Sequence, residues 1–139
     1  MGRLIGLDVG DATIGVAVAD ELGLTAQGVG VIRRTGLTRD LRHLEVLLEP
    51  YPPARFVVGL PLNMDGSVGP QARKAQTFAI ELGRHFAVPV ETWDERLSTV
   101  GAGRALAESG MSRAKRKRVI DKLAAAFILQ GYMDSQQRP

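Results

Sequence analysis

"LIGLDVGDATIGVAVAD", residues 4–20, alternates in a way that suits two short strands joined by a tight turn. Leu4, Gly6 and Asp8 share one face of the first strand, and Ile5, Leu7 and Val9 share the other. Asp8 is therefore a carboxylate set between buried stretches, just before the chain turns. Removing such a group from water costs several kcal/mol or discharges it. Two readings follow: Asp8 bonds to the amides of its own turn, or it faces a metal ion or phosphate where ligand groups gather at strand ends. The turn "GDAT" suits Gly10 in a conformation closed to other residues and Asp11 bonded to local amides.

Downstream, Val29–Arg34 reads as a third strand. Leu37, Leu41, Leu44 and Leu48 form a helix stripe, with Thr38 as a candidate cap and "PYPP" as its stop. "RFVVGL", 55–60, is an apolar strand, and "PLNMDGS" is the loop after it. Helical spacing returns in Val68, Ala72, Ala75, Ala79, Leu82 and Phe86, with Ser67 as expected N-cap and Pro70 in the first turn. "VPVETW", 88–93, reads as a last strand, with a helix expected over 99–108 and another over 114–133. Three adjacent strands favour an antiparallel meander, and the helix-separated strands favour parallel crossovers. The expectation is an α/β fold: a mixed five-stranded sheet, three strands antiparallel and two parallel, with helices on both faces. One domain over 1–134 is expected, with 135–139 as a polar tail that frays.

The chain has 139 residues and no cysteine, which excludes disulfides and thiolate metal sites. His43 and His85 lie in helical segments without ligand spacing, which argues against a zinc hydrolase. The longest wholly apolar run, "LAAAFIL" at 123–129, is too short to span a bilayer. No basic segment with an apolar secretory core opens the sequence, so a cytoplasmic protein without membrane attachment is expected. The overall charge of +3 divides unevenly: residues 1–110 carry −2, residues 111–139 carry +5, and five of the positives fall in "RAKRKR", 113–118. Such a run is either a solvated helix start or an attractive field for a polyanion.

Two further acids stand out. Asp94 and Glu95 follow the last strand; one can face a site while the other pairs with Arg96 or answers the amides of a helix start, and spacing alone does not choose between them. Asp121 lies beyond the first turn of the last helix, near Ala125 and Ile128 in projection, with Lys117 four residues earlier as an alternative ion-pair partner. Phosphodiester hydrolysis gives acids a reason to converge on a basic protein. Two Mg²⁺ or Mn²⁺ ions held about 3.5–4 Å apart activate water and stabilise the leaving oxygen. Hard ions of this kind take carboxylate oxygens.

"GLDVGDATIGVAVAD", "FVVGLPLNMDGSVGPQARKAQTFA", "DERLST" and "KRVIDKLAAAFILQGYMD" together resemble the YqgF family, also called RuvX-like, nucleases with an RNase H-like fold. The matches extend over nearly the whole chain. The resemblance implies catalytic and metal-ligating roles for Asp8, Glu95 and Asp121, and substrate-side positions for Asn63 and Asp65 beside Asp8. Arg96, Arg113, Lys115, Arg116 and Lys117 are the expected contacts to substrate. One departure is local: family members often resemble "FGTKRIG" where this chain has "VGDATIG", so Asp11 and Ala12 replace a threonine and a lysine.

What the resemblance implies is a metal-dependent nuclease, endonucleolytic by preference, acting at the 5′ end of precursor 16S ribosomal RNA, in contact with a ribosomal precursor particle. The runner-up is a Holliday junction resolvase on branched DNA, which would gain from a homodimer because its two cuts are symmetric. A non-catalytic RNA-binding assembly protein would explain the basic run without the three acids, although few aromatics accompany it. The first stretch alone also resembles the phosphate-binding strand of actin-like ATPases and sugar kinases, an architecture that needs two such domains.

Overall fold

The computed structural model describes residues 2–97 and 113–137; the side chains of residues 97 and 113–121 fall outside that description. Strands β1 (Arg3–Val9), β2 (Thr13–Ala19) and β3 (Ala26–Arg33) are followed by helix α1 (Leu37–Leu47) and β4 (Pro53–Leu60). Helix α2 (Pro70–Phe86), β5 (Val90–Asp94), a 3-10 turn at Glu95–Leu97 and helix α3 (Arg113–Gln136) complete the described chain. The helix expected over 99–108 lies outside the described residues.

The five strands form one sheet in the order β3-β2-β1-β4-β5. β1–β2 and β2–β3 are antiparallel, whereas β1–β4 and β4–β5 are parallel. This is the mixed α/β sheet of the RNase H-like class, and its strand alternation separates two cores. Ile5, Leu7 and Val9 join Ile14, Val16, Phe56 and Val58 on the face covered by Leu41 and Leu44 of α1 and Ala75, Phe78 and Leu82 of α2. On the other face Ala17, Ala19 and Val57 meet Ala125, Ile128, Leu129, Tyr132 and Met133 of α3. Small residues dominate that second face because α3 lies close to it. A Cβ on Gly6 would stand 2.7 Å from Leu129 Cβ.

Local differences from the sequence reading have physical causes. β3 starts at Ala26 rather than Val29, because the Ala26 N–H is taken by Gln130 Oε1 at 3.0 Å and the ladder to β2 continues through the glycines. α1 begins after Gly36, not Thr38: Gly36 turns the chain at φ 143°, which favours glycine, and the Asp40 carboxylate accepts the Thr35 N–H at 2.9 Å. Gly69, not Ser67, precedes α2. β5 starts two residues late, after Pro89, which has no N–H to give the ladder. Gly10 does not adopt the left-handed conformation; its N–H closes the turn on Thr13 O at 2.9 Å. α3 runs on to Gln136, into the polar segment expected to fray. Among the described residues no helix is long and apolar enough to cross a membrane.

Candidate active site

Asp8 is the next-to-last residue of β1, half-buried, on the same face as Gly6 and therefore towards α3. β4 runs parallel beside it, with Leu7 paired to Val58, so Gly59 is the next residue along. β5 follows β4 in parallel and pairs Asp94 with Leu60, which delivers Glu95 to the same end of the sheet. The lack of a side chain on Gly59 makes room for it: a Cβ there would lie 2.5 Å from Glu95 Oε2 and 2.4 Å from Ile128 Cδ1.

The electrostatics of this corner are unfavourable as they stand. Glu95 Oε2 is buried and has no hydrogen-bond partner among the described residues. Burial pushes the Glu95 carboxyl up to about 7, and the neighbouring charges of Asp8 and Asp94 add to the shift. Its neighbour has the opposite fate. Asp94 accepts from Arg96 Nε at 2.9 Å and Nη2 at 2.6 Å and from the Arg96 backbone N–H at 3.1 Å, which holds its carboxyl below the usual carboxylate range. The choice left open by spacing is thereby made: Asp94 pairs with Arg96, and Glu95 turns towards Asp8.

Arg96 also donates from Nη1 to Met64 O at 3.1 Å, tying the 61–67 loop to the residue after Glu95. Within that loop Asp65 Oδ1 accepts from the Ser67 N–H at 2.9 Å and its hydroxyl at 2.6 Å, and Asn63 Nδ2 donates to Ser67 Oγ at 2.9 Å. Asn63, Asp65 and Arg96 thus commit their polar groups to shaping the loop. Ser67, expected as a helix cap, is the hub of this network.

Arg113, Lys115, Arg116, Lys117 and Asp121 lie within the helical span of α3, and their side chains are outside the described residues. Among the described residues no three His, Cys, Asp or Glu side chains gather to hold a metal ion. Two carboxylates nonetheless lie close enough for the charge of Asp8 to act on Glu95, whose buried Oε2 has no hydrogen-bond partner among the described residues, and a divalent cation with oxygen preference fits that donor set. His43 is exposed, and His85 contacts Glu45, both away from this corner.

Three features escape sequence reasoning. Gly59 reads only as part of an apolar strand, although a glycine at a strand end already signals close approach of another group. Asp11 does not bond to its own turn; it reaches α2, accepting from Lys74 Nζ at 3.0 Å and Gln71 Nε2 at 2.9 Å. Arg34 and the fully buried Asp40 form an ion pair at 3.1 Å, and Arg34 also holds Gly10 O, behind the turn that follows Asp8.

Comparison with known proteins gives the family and the fold. A family model described as "RuvX: Holliday junction resolvase" matches residues 2–135. A protein of Symbiobacterium thermophilum named "Putative pre-16S rRNA nuclease" is 54% identical over 96% of this chain and 93% of its own length. One of the same name from Myxococcus xanthus is 53% identical over 99% of this chain and 91% of its own. Among solved structures, Thermus thermophilus RuvC in complex with a Holliday junction substrate superposes with a TM-score of 0.55 at 17% identity, covering 98% of this chain and 96% of that one. The fowlpox virus resolvase bound to Holliday junction DNA gives 0.57 at 12% identity, covering 98% and 99%. At such identities these two show a shared fold.

Proposed function

The chain belongs to the RuvX family, and from that premise we propose that it is a metal-dependent nuclease of the cytoplasm that cuts phosphodiester bonds at the 5′ end of precursor 16S ribosomal RNA. The observation that carries the reading is the Glu95 carboxylate at the strand ends, buried within reach of the charge of Asp8 and with one oxygen unsatisfied among the described residues. Such an arrangement costs stability, and a cation held there would offset the cost. The choice of RNA over branched DNA rests on the names of relatives at 53–54% identity.

Asp8 and Glu95 are the proposed catalytic and metal-holding pair, with Asp121 as third carboxylate. Asp121 precedes Ile128 by seven residues, about two helical turns, which returns to nearly the same azimuth. Mg²⁺ or Mn²⁺, two ions in the fullest form, would supply activated water and charge neutralisation on the scissile phosphate when held there. The chain's own part is orientation. Gly59 leaves the space into which Glu95 projects, and Arg96 keeps Asp94 from competing for the same place. Asn63 and Asp65 hold the loop that borders the substrate path. Arg113, Lys115, Arg116 and Lys117 are proposed to attract the phosphate backbone of the precursor particle.

The test is cleavage of a labelled precursor 16S fragment and of a four-way DNA junction, with Mg²⁺, with Mn²⁺ and with chelator. Asp8→Asn and Glu95→Gln should each remain folded by circular dichroism and lose at least about 100-fold in rate, the scale of one lost charge-stabilising group. Cutting of the junction alone would transfer the assignment to a DNA resolvase, for which the symmetric paired cuts would call for a homodimer. Restoration of 16S 5′ ends in depleted cells by folded Asp8→Asn protein would show a non-catalytic assembly role instead.

A further inference from the structure

The turn after β1 leads from the acidic corner to a second feature on the opposite face of the sheet. Asp11 follows Asp8 by three residues, so their Cα atoms are at most about 11 Å apart. Whereas Asp8 faces α3, Asp11 reaches α2, where Lys74 and Gln71 donate to its two carboxylate oxygens. Beside this contact a groove of about 570 Å³ opens between the start of α1 and α2. Leu37 and Pro70 give it exposed apolar surface above the buried Phe78, and Arg34, Arg73, Lys74, Thr77 and Glu81 complete its lining.

The rim charges are not equivalent. Arg34 is committed to Asp40 and Gly10 O, and lies over the Phe78 ring at 5.3 Å. The Arg73 guanidinium makes no hydrogen bond or ion pair with the described residues. Glu81, the acid in the lining, is engaged by Arg84 at 3.0 Å. Exposed apolar side chains beside three cations are complementary to a strand whose sugars and bases are open and whose phosphates point outward, as in single-stranded nucleic acid. A duplex hides those apolar faces in its stack.

We propose that this groove binds the backbone of single-stranded RNA that crosses the 10–12 turn from the Asp8–Glu95 corner, and that Asp11 in the free protein occupies the place of a phosphate on Lys74 and Gln71. The proposal rests on the nuclease reading for the identity of the strand. Asp11 acts as an internal competitor: an incoming phosphate must displace it to reach Lys74, while the exposed Arg73 has no partner among the described residues to give up.

Fluorescence anisotropy with a fluorescein-labelled single-stranded RNA, in chelator so that nothing is cut, measures affinity across a salt titration. Arg73→Gln/Lys74→Gln should weaken binding and flatten the plot of log affinity against log salt by about 0.7 for each phosphate that is no longer neutralised. Asp11→Asn should do the reverse, tightening binding several-fold with a steeper slope. Both variants should match the parent in circular dichroism and melt close to it, since the Asp11–Lys74 pair is exposed and such pairs add little to stability. Unchanged affinity and slope in the double variant, or weaker binding by Asp11→Asn, overturns the proposal. So does a loss confined to a four-way DNA junction. Cleavage in Mn²⁺ by the parent separates the two readings: a parent that cuts RNA while the double variant binds normally rejects the groove alone, and a parent that cuts nothing while the double variant shows the flatter slope rejects the nuclease alone.

Discussion

The carboxylate of Glu95 occupies the space that a side chain on Gly59 would need. A Cβ at position 59 would lie 2.5 Å from Glu95 Oε2 and 2.4 Å from Ile128 Cδ1. Both neighbours are the ends of flexible side chains, so Gly59→Ala should fold, at an overpacking cost of about 1–3 kcal/mol. Ile128 has the packed α3 interface behind it, so Glu95 is the group that yields. A shift of about 1 Å in a reacting group is enough to cost about 100-fold in rate. Gly59→Ala is therefore expected to lose activity far out of proportion to its stability, measured as kcat on labelled RNA beside urea melts. Full activity in a folded Gly59→Ala protein would show that Glu95 does not act from this position.

The Arg34–Asp40 pair predicts the reverse pattern, a large effect on stability with activity following. Asp40 is completely buried and accepts from Arg34 Nε at 3.1 Å and from the Thr35 N–H at 2.9 Å. Asp40→Ala removes both acceptors and leaves a largely enclosed guanidinium without its counter-charge, a change expected to cost about 3 kcal/mol or more. Asp40→Asn keeps an acceptor for Thr35 and should cost less. Urea midpoints rank the two variants, and equal midpoints for Asp40→Ala and the parent would show that the pair adds nothing. Because Arg34 also holds Gly10 O at 3.0 Å, the turn behind Asp8 should loosen in the same variants.

How far the fold is legible in the chain depends on the scale of the signal. The alternation of Ile5, Leu7 and Val9 with Gly6 and Asp8 separates two sheet faces, and the helix between each pair of later strands dictates parallel pairing; both are local patterns with few alternatives. Asp94 and Glu95 are not separable in this way, because they stand where strand geometry gives way to a 3-10 turn and alternation ceases to apply. The link from Asp11 to Lys74 spans 63 residues, and no local rule favours it over a bond within its own turn. Ser67 misleads for a related reason: hydroxyls cap helices and organise loops with the same chemistry, and here Asp65 and Asn63 claim it first.

Stability against pH offers a readout of the Glu95–Asp8 corner that needs no substrate. Glu95 is pushed up to about 7 in the folded protein, chiefly by burial and then by Asp8 and Asp94, against an ordinary value of 4.5. Between those two values the folded state keeps a proton that the unfolded chain has released, so its stability falls as pH rises through the window. The contribution is complete below about 4.5 and gone above about 7. With partial solvent access discounted, it amounts to on the order of 2 kcal/mol. Asp11, Asp20, Asp65 and Asp94 are all held below the usual range, so their contributions are lost only as pH falls in the acid limb, outside this window. Urea melts in chelator should therefore show the parent weakening from about pH 4.5 to about pH 7 relative to Glu95→Gln, which has no proton to lose. Adding Mg²⁺ or Mn²⁺ at about pH 8 should recover stability in the parent and much less in Glu95→Gln, since the ion supplies a partner that Oε2 lacks among the described residues. A constant difference between the two proteins across the whole range would mean that the Glu95 carboxylate is solvated and that the corner holds no stored repulsion for a cation to relieve.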